Sequence, residues 1–250
     1  SYLKAYVLFV GPSTSTANRV TIGGMVGNNS SGTTSIRYGV TRDKIAKLRA
    51  VLADGSIHEF GEESPSLQKN EQGKVIEERL LEMLSREGVK EQVREHFPKA
   101  EIHRRNTGYA IDVLINDLEE ASDAQHCNVA KLLCGSEGTL AFTSEIELKL
   151  DEIPPAYGAM VVTHYDSLEG CLSDVETVMK HTLYTCEMMD KVILDCTKGN
   201  KLYSSARDFV VGDPEALLML EVSAHSAEDL ARQVSELIDF LKQQSSSYAS

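Results

Sequence analysis

Positive charge is scarce in this sequence: 25 lysines and arginines stand against 38 acidic residues, a formal net charge of −13 over 250 residues. Such a surface repels phosphate backbones, and no Lys/Arg cluster interleaved with aromatics overrides it locally, so nucleic acid is not an expected partner. Cysteine is sparse as well. Cys127, Cys134, Cys171, Cys186 and Cys196 include no CxxC pair, which argues against a disulfide framework and a zinc knuckle and leaves buried reduced thiols. No apolar run approaches the ~20 residues of a membrane helix and no signal peptide opens the chain, so a cytoplasmic protein without a membrane span is expected. The 7 histidines include no pair at HxH or HxxxH spacing, and each is read as a surface or core residue rather than a metal ligand. Gly135-Ser136-Glu137-Gly138 lacks the GxSxG spacing of a nucleophile elbow, which argues against a hydrolase. No internal repeat is visible.

What is present is an ordinary globular composition, 42% hydrophobic and 25% charged, long enough to bury a core unaided. Two domains are expected, 1–152 and 153–250, because Pro154-Pro155 stiffens the chain and removes two backbone donors just after a strand. Tyr2 to Val10 reads as a helix end running into a strand. A hairpin is expected with Leu48, Val51 and Leu52 in one arm, Ile57 and Phe60 in the other, and Asp54-Gly55 at the turn. From Glu62 to Arg104 the spacing of Val75, Ile76, Leu80, Leu81 and Leu84, then of Val89 to Phe97, predicts a helical insertion. Val129 to Cys134 and Ala141 to Leu150 read as strands, the second alternating Ile146, Leu148 and Leu150 against Glu145, Glu147 and Lys149. Beyond the prolines, Ala159 to Thr163, Cys186 to Leu194 and Leu217 to Ser223 read as strands. Ser167 to His181 and Ala227 to Gln243 read as helices, which together begin a ferredoxin-like α+β sandwich. Glu187 and Asp190, on the second of those strands, are assigned a structural role.

The segment GPSTSTANRVTIGGMVGNNSSGTTSIRYG, Gly11 to Gly39, is dense in Gly, Ser, Thr and Asn, with apolar Val20, Ile22, Met25 and Val26 spaced through it. Residues without bulky side chains present bare N–H groups, and successive N–H groups form concave sites for anionic or carbonyl oxygens. Residue types alone leave two readings open, an ordered loop that grips a polar ligand and a surface turn region.

Two further strings narrow this: RNTGYAID, Arg105 to Asp112, and CGSEGTLAFTSEIELKL, Cys134 to Leu150. In this order the three resemble the FAD-binding domain of the vanillyl-alcohol oxidase-like FAD-linked oxidases, in the branch of D-lactate dehydrogenase, the glycolate oxidase subunit and D-2-hydroxyglutarate dehydrogenase. The resemblance implies an α+β fold, the second half of that FAD-binding domain followed by part of a ferredoxin-like cap. It also implies an oxidoreductase in which FAD N5 takes a hydride from the hydroxyl-bearing carbon of a D-2-hydroxy acid. Its partners would be a small-molecule hydroxy acid and an electron acceptor.

Carried over by position, the resemblance puts Ser15, Thr16, Ala17, Asn18, Arg19, Val20 and Thr21 along the flavin, with Gly23 and Gly24 allowing close approach. Asn28, Asn29, Ser30, Ser31 and Gly32 continue towards the diphosphate. Glu137, Gly138, Thr139, Leu140, Ala141, Phe142 and Thr143 close the adenosine side. Ala141 stands where the family commonly has glycine. The run His103, Arg104 and Arg105 is read as a solvated loop, with contact to a flavin phosphate or a carboxylate substrate as the other reading. The family's glycine-rich diphosphate loop does not precede Gly11, and its substrate-acting histidine and acidic residues correspond to positions beyond Ser250, so no catalytic residue is assigned. The chain therefore reads as an internal segment, expected by itself to bind FAD weakly or not at all. A downstream iron–sulfur module is implied by likeness to long fused relatives. Two alternatives stay open: a non-catalytic binding or assembly module with an incomplete flavin site, and a family member of other chemistry, such as an alkyl-glycerone-phosphate synthase or a cell-wall precursor reductase.

Overall fold

The chain divides into two units, Ser1–Asp151 and Glu152–Ser250. The structure, a computed structural model, describes residues 2–61, 64–65, 71–99, 101–102, 104–106, 108–120, 128–200 and 203–250. His103, Thr107 and Cys127 lie outside the described residues, as does Glu62 at the start of the expected insertion.

In the first unit a 3-10 turn (Tyr2–Tyr6) leads into β1 (Leu8–Phe9). The segment read as a loop then folds in part as helix, α1 (Ile22–Asn28) and the single turn α2 (Ser35–Tyr38). Glycines at 23, 24 and 27 lower helix propensity, but the Thr21 hydroxyl caps the amide of Gly24, and Met25 and Val26 bury the inner face. Next come β2 (Ile45–Val51) and β3 (Ile57–Gly61), the expected hairpin, with Gly55 at φ +84° in its turn. A short β4 (Ser64–Pro65) is followed by α3 (Glu71–Ser85), α4 (Glu87–His96), α5 (Ile111–Glu120), α6 (Val129–Leu133), β5 (Phe142–Leu148) and the two-residue β6 (Asp151–Glu152). The strands pair antiparallel in the order β4-β3-β2-β5, so β2 is central and its Leu48 and Ala50 are fully buried. These pack with Val26, Phe60, Ala130, Leu133 and Ala141, while Leu84, Val93, Leu114 and Ile115 form a separate cluster among α3, α4 and α5.

One reading of this unit is corrected, and one helix is added. Val129 to Cys134 is helix α6, not a strand, because Asn128 accepts from the amide of Ala130 at 3.1 Å and starts a helical turn that buries Ala130 and Leu133. A short apolar run has no period of its own, and the cap decides it. Helix α5 was not anticipated, although Ile111, Leu114, Ile115 and Leu118 repeat at helical spacing.

The second unit runs β7 (Tyr157–Tyr165), α7 (Leu168–Val178), β8 (Thr185–Asp190), α8 (Lys191–Lys198), β9 (Ala216–Ala224) and α9 (Ala227–Gln244). All pairs are antiparallel in the order β7-β9-β8, and α7 and α9 cover one face of the sheet. That order with two helices on one face is the ferredoxin-like arrangement, and the chain is α+β. Val161, Tyr165, Leu218, Leu220 and Val222 alternate into the core against Cys171, Val178, Leu237 and Leu241. The strand expected to run to Leu194 stops at Asp190, whose carboxylate accepts from the amide of Ile193 at 2.9 Å and starts α8. Buried Asp174 on α7 accepts from the Tyr165 hydroxyl at 2.9 Å, from the Ser245 hydroxyl and from the Ser246 amide at 3.0 Å, tying the segment after α9 to the core. Among the described residues no helix is long and apolar enough to cross a membrane, and no group of three or more His, Cys, Asp or Glu side chains is arranged to hold a metal ion.

Candidate functional site

Between Gly11 and Thr34 the chain closes on itself through one hydroxyl. Thr34 Oγ1 donates to the carbonyl of Gly11 at 2.9 Å and accepts from the amide of Ser13 at 3.1 Å. The crossing is so close that a Cβ on Gly32 would stand 1.4 Å from the Ser13 carbonyl oxygen, which only glycine allows. Between these points Ala17, Arg19 and Val20 spend their amides on the carbonyls of Thr14 and Thr16 in a tight turn. The amides of Ser15, Thr16 and Asn18 have no acceptor among the described residues. Ser15, Ala17, Asn18, Arg19, Thr21, Gly23, Gly24 and Asn28 are exposed, and Thr16, Val20, Ser30 and Ser31 are half-buried. A Cβ on Gly23 would meet nothing, so open space lies beside this backbone.

The second stretch arrives beside α1. The amide of Gly135 donates to the carbonyl of Val26 at 2.9 Å, and that of Glu137 to the carbonyl of Gly27 at 2.9 Å. Gly135 (φ +88°), Glu137 (φ +53°) and Gly138 (φ +73°) are all left-handed, so the turn is sharp enough to set two amides on adjacent carbonyls. Buried Ser136 donates its hydroxyl to the carbonyl of Leu133 at 2.8 Å. Thr139 donates to the carbonyl of Ser136 and therefore accepts from the Tyr109 hydroxyl at 2.7 Å. Glu137, Gly138, Thr139 and Leu140 are exposed, and Phe142 is 72% exposed, large for an aromatic. Ala141 packs into the core. Thr143 sits in β5 opposite Ala50.

A polar cluster of Asn29 and Arg105, both named from the sequence, and Arg42, which was not, joins the two stretches. Asn29, fully buried at φ +52°, accepts from the Arg42 amide at 2.8 Å and donates to the carbonyl of Arg105 at 3.2 Å. Arg42, only 8% exposed, donates from Nε to the carbonyl of Lys131 at 2.9 Å and from Nη2 to that of Cys134 at 2.8 Å. Burial lowers the Arg42 pKa and pushes the Cys134 thiol up to about 12, so the thiol stays protonated beside a guanidinium. Of the described part of the basic run, Arg105 pairs with Asp112, while exposed Arg104 through Nε and Asn106 through Nδ2 both donate to the Ser31 hydroxyl at 2.9 Å. Nearby, an apolar cleft of about 550 Å³ is lined by Leu52, Phe60, Leu80, Met83, Leu133 and Leu140. Bare amides at 15, 16 and 18, open space at Gly23 and Gly138, and a cation seated on Ser31 together fit a long polar ligand with an anionic part.

Residues 1–61 match the FAD binding domain family. The chain is 30% identical over 247 residues to D-2-hydroxyglutarate dehydrogenase of Pantoea ananatis, covering 95% of this chain and 23% of that protein. Against D-2-hydroxyglutarate dehydrogenase of Pseudomonas putida it is 32% identical over 218 residues, covering 85% and 21%. Against D-lactate dehydrogenase of Anaerostipes hadrus it is 24% identical over 226 residues, covering 87% and 35%. The chain thus spans about a quarter of the length of the first of these relatives (23%). A solved structure of alkyldihydroxyacetonephosphate synthase shares the fold, with a TM-score of 0.55 at 14% identity over 96% of this chain and 35% of that one.

Proposed function

We propose, for a chain related to the FAD-linked oxidases, that this protein is part of an FAD-dependent oxidoreductase converting a D-2-hydroxy acid to the 2-oxo acid. Residues 1–152 would supply part of the cofactor site and 153–250 the beginning of the cap over the substrate. The observation that carries the reading is the pair of main-chain bonds from Gly135 and Glu137 to Val26 and Gly27, which unites two stretches with independent likeness to flavin-contacting sequence. In this reading Ser15 to Thr21 approach the flavin through main-chain amides, with Gly23 and Gly24 leaving room beside them. Asn28, Ser30, Ser31 and Gly32 continue towards the diphosphate, where Arg104 adds positive charge, and Glu137 to Thr143 border the adenosine; Asn29, expected among them, is fully buried and spends its side chain on Arg42 and Arg105 instead. Bound there, FAD supplies the hydride acceptor. This chain's residues bind, orient and exclude water.

The relatives make D-2-hydroxyglutarate the first substrate to try, with D-lactate and glycolate after it. The electron acceptor, a downstream iron–sulfur module and a cytoplasmic setting belong to the same proposal. The test is FAD titration of the full-length protein by flavin fluorescence, followed by anaerobic addition of each hydroxy acid while flavin absorbance is recorded. Bleaching by one of them supports the reading. Stable FAD without bleaching favours the non-catalytic alternative, and no FAD uptake rejects both.

A further inference from the structure

We infer that Asn29 and Arg42 are positioning residues of the flavin site, an inference that rests on the reading above and assigns them a task without ligand contact. Asn29 is fully buried and Arg42 is 8% exposed, so neither side chain is open to a ligand. Their bonds run chiefly to main chain, with the Cys134 thiol also donating to Asn29 Oδ1 at 3.6 Å. Asn29 closes α1 in the left-handed conformation and spans from the Arg42 amide to the Arg105 carbonyl. Arg42 continues the span, one nitrogen on Lys131 and another on Cys134, carbonyls at the end of α6 that would otherwise go unpaired.

A continuous chain of bonds therefore runs from the segment at Arg105, through Asn29 and Arg42, to the residue just before the turn at Gly135. Its length sets how far residues 15–32 stand from residues 137–143. Gly135 leaves the clasp no slack, since a Cβ there would lie 2.9 Å from Arg42 Nη2 and 3.3 Å from Asn29 Cβ. A lysine at 42 keeps the charge but not the planar fork, so it cannot hold both carbonyls in this geometry. Loosening the clasp would shift the two stretches apart without deleting any group that meets FAD.

The experiment compares Asn29→Gly and Arg42→Lys with the parent in the full-length protein. Glycine adopts the left-handed backbone freely, so any loss at 29 reports the side chain. Three quantities are read: melting of the apoprotein, FAD affinity, and the visible circular dichroism of the bound flavin, which responds to the ring's surroundings rather than to global stability. Both variants are expected to fold, to bind FAD about tenfold more weakly, the equivalent of one well-made hydrogen bond, and to show an altered flavin dichroism. Should either fail to fold, Asn29→Asp replaces it, since that change keeps the acceptor for Arg42 and sets a carboxylate oxygen against the Arg105 carbonyl where the amide had donated. Folded variants with parental affinity and dichroism overturn the inference and leave the flavin reading standing. A parent protein that takes up no FAD overturns the reading beneath it.

Discussion

The two units are built on different logic. In the second, residues distant in sequence meet across β7, β9 and β8, whose register is spelled out by alternation: Val161, Leu218, Leu220 and Val222 face α7 and α9, and their neighbours face away. In the first, the contact between the end of α1 and the turn after α6 has no such periodic signature. It is made by two main-chain hydrogen bonds and by the side chains of Asn29 and Arg42. A sheet core tolerates approximate packing as long as the right face is apolar, whereas a polar closure depends on each partner being present. The unit that carries the candidate site is therefore the one held by specific bonds.

The largest expected effect separates stability from site geometry. Leu220→Ala, in the middle of β9 and fully buried, should cost the second unit about 3 kcal/mol through lost burial and an unfilled cavity. Urea unfolding followed by hydrogen exchange in each unit measures it, and an equal loss of protection in β2 and β5 would show that the units do not unfold on separate terms. Next, Gly135→Ala should cost the first unit about 2 kcal/mol, because φ is +88° and the new Cβ meets Arg42. A neutral outcome there would mean the clasp has slack, and the contrast with the sheet would collapse.

The smallest effect is one the units share. Burial raises the Cys134 thiol in the first unit to about 12, and Cys171 and Cys186 in the second to about 11, from an ordinary value near 9. The folded state holds these protons more tightly than the unfolded chain, so their stabilisation is complete below about pH 9 and is lost as pH rises through the folded values. Urea midpoints taken from pH 8 to 10 should fall, with the thiols of Cys134 and Cys171 unreactive to alkylation until unfolding and exposed Cys196 labelled before them. Midpoints that hold steady across that range would remove burial as the controlling term.

Legibility in the sequence follows the same division. The helices α3, α4, α7 and α9, the β2–β3 hairpin and the strands β7 and β9 were readable because apolar positions repeat at 3.6 or 2 over long enough windows. Val129–Leu133 and the end of β8 were misread because both are short runs of apolar residues whose state is settled by one neighbour, Asn128 in the first case and Asp190 in the second. Helix α5 begins inside the RNTGYAID string, whose polar residues and Gly108 mask the start of its helical repeat. Within the candidate site, Gly11 to Gly39 and Cys134 to Thr143 were visible as strings, and the structure sets Val26 to Asn29 directly against Cys134 to Glu137. Arg42 was not visible. An arginine inside TRDK looks like solvated surface, and only the long-range closure of the chain takes it out of water.

The left-handed run at Gly135, Glu137 and Gly138 also bears on how many residues this stretch can contain. Its amides reach Val26 and Gly27 only because the turn has its present length, so one residue inserted or deleted would swing both of them off their acceptors. At the hairpin tip Gly55 is exposed and a Cβ there would touch nothing, so extra residues have somewhere to go. A library of length variants would accumulate at the hairpin tip and be purged at the turn, which makes loop length a record of which turns the fold holds by specific bonds and which it leaves to solvent.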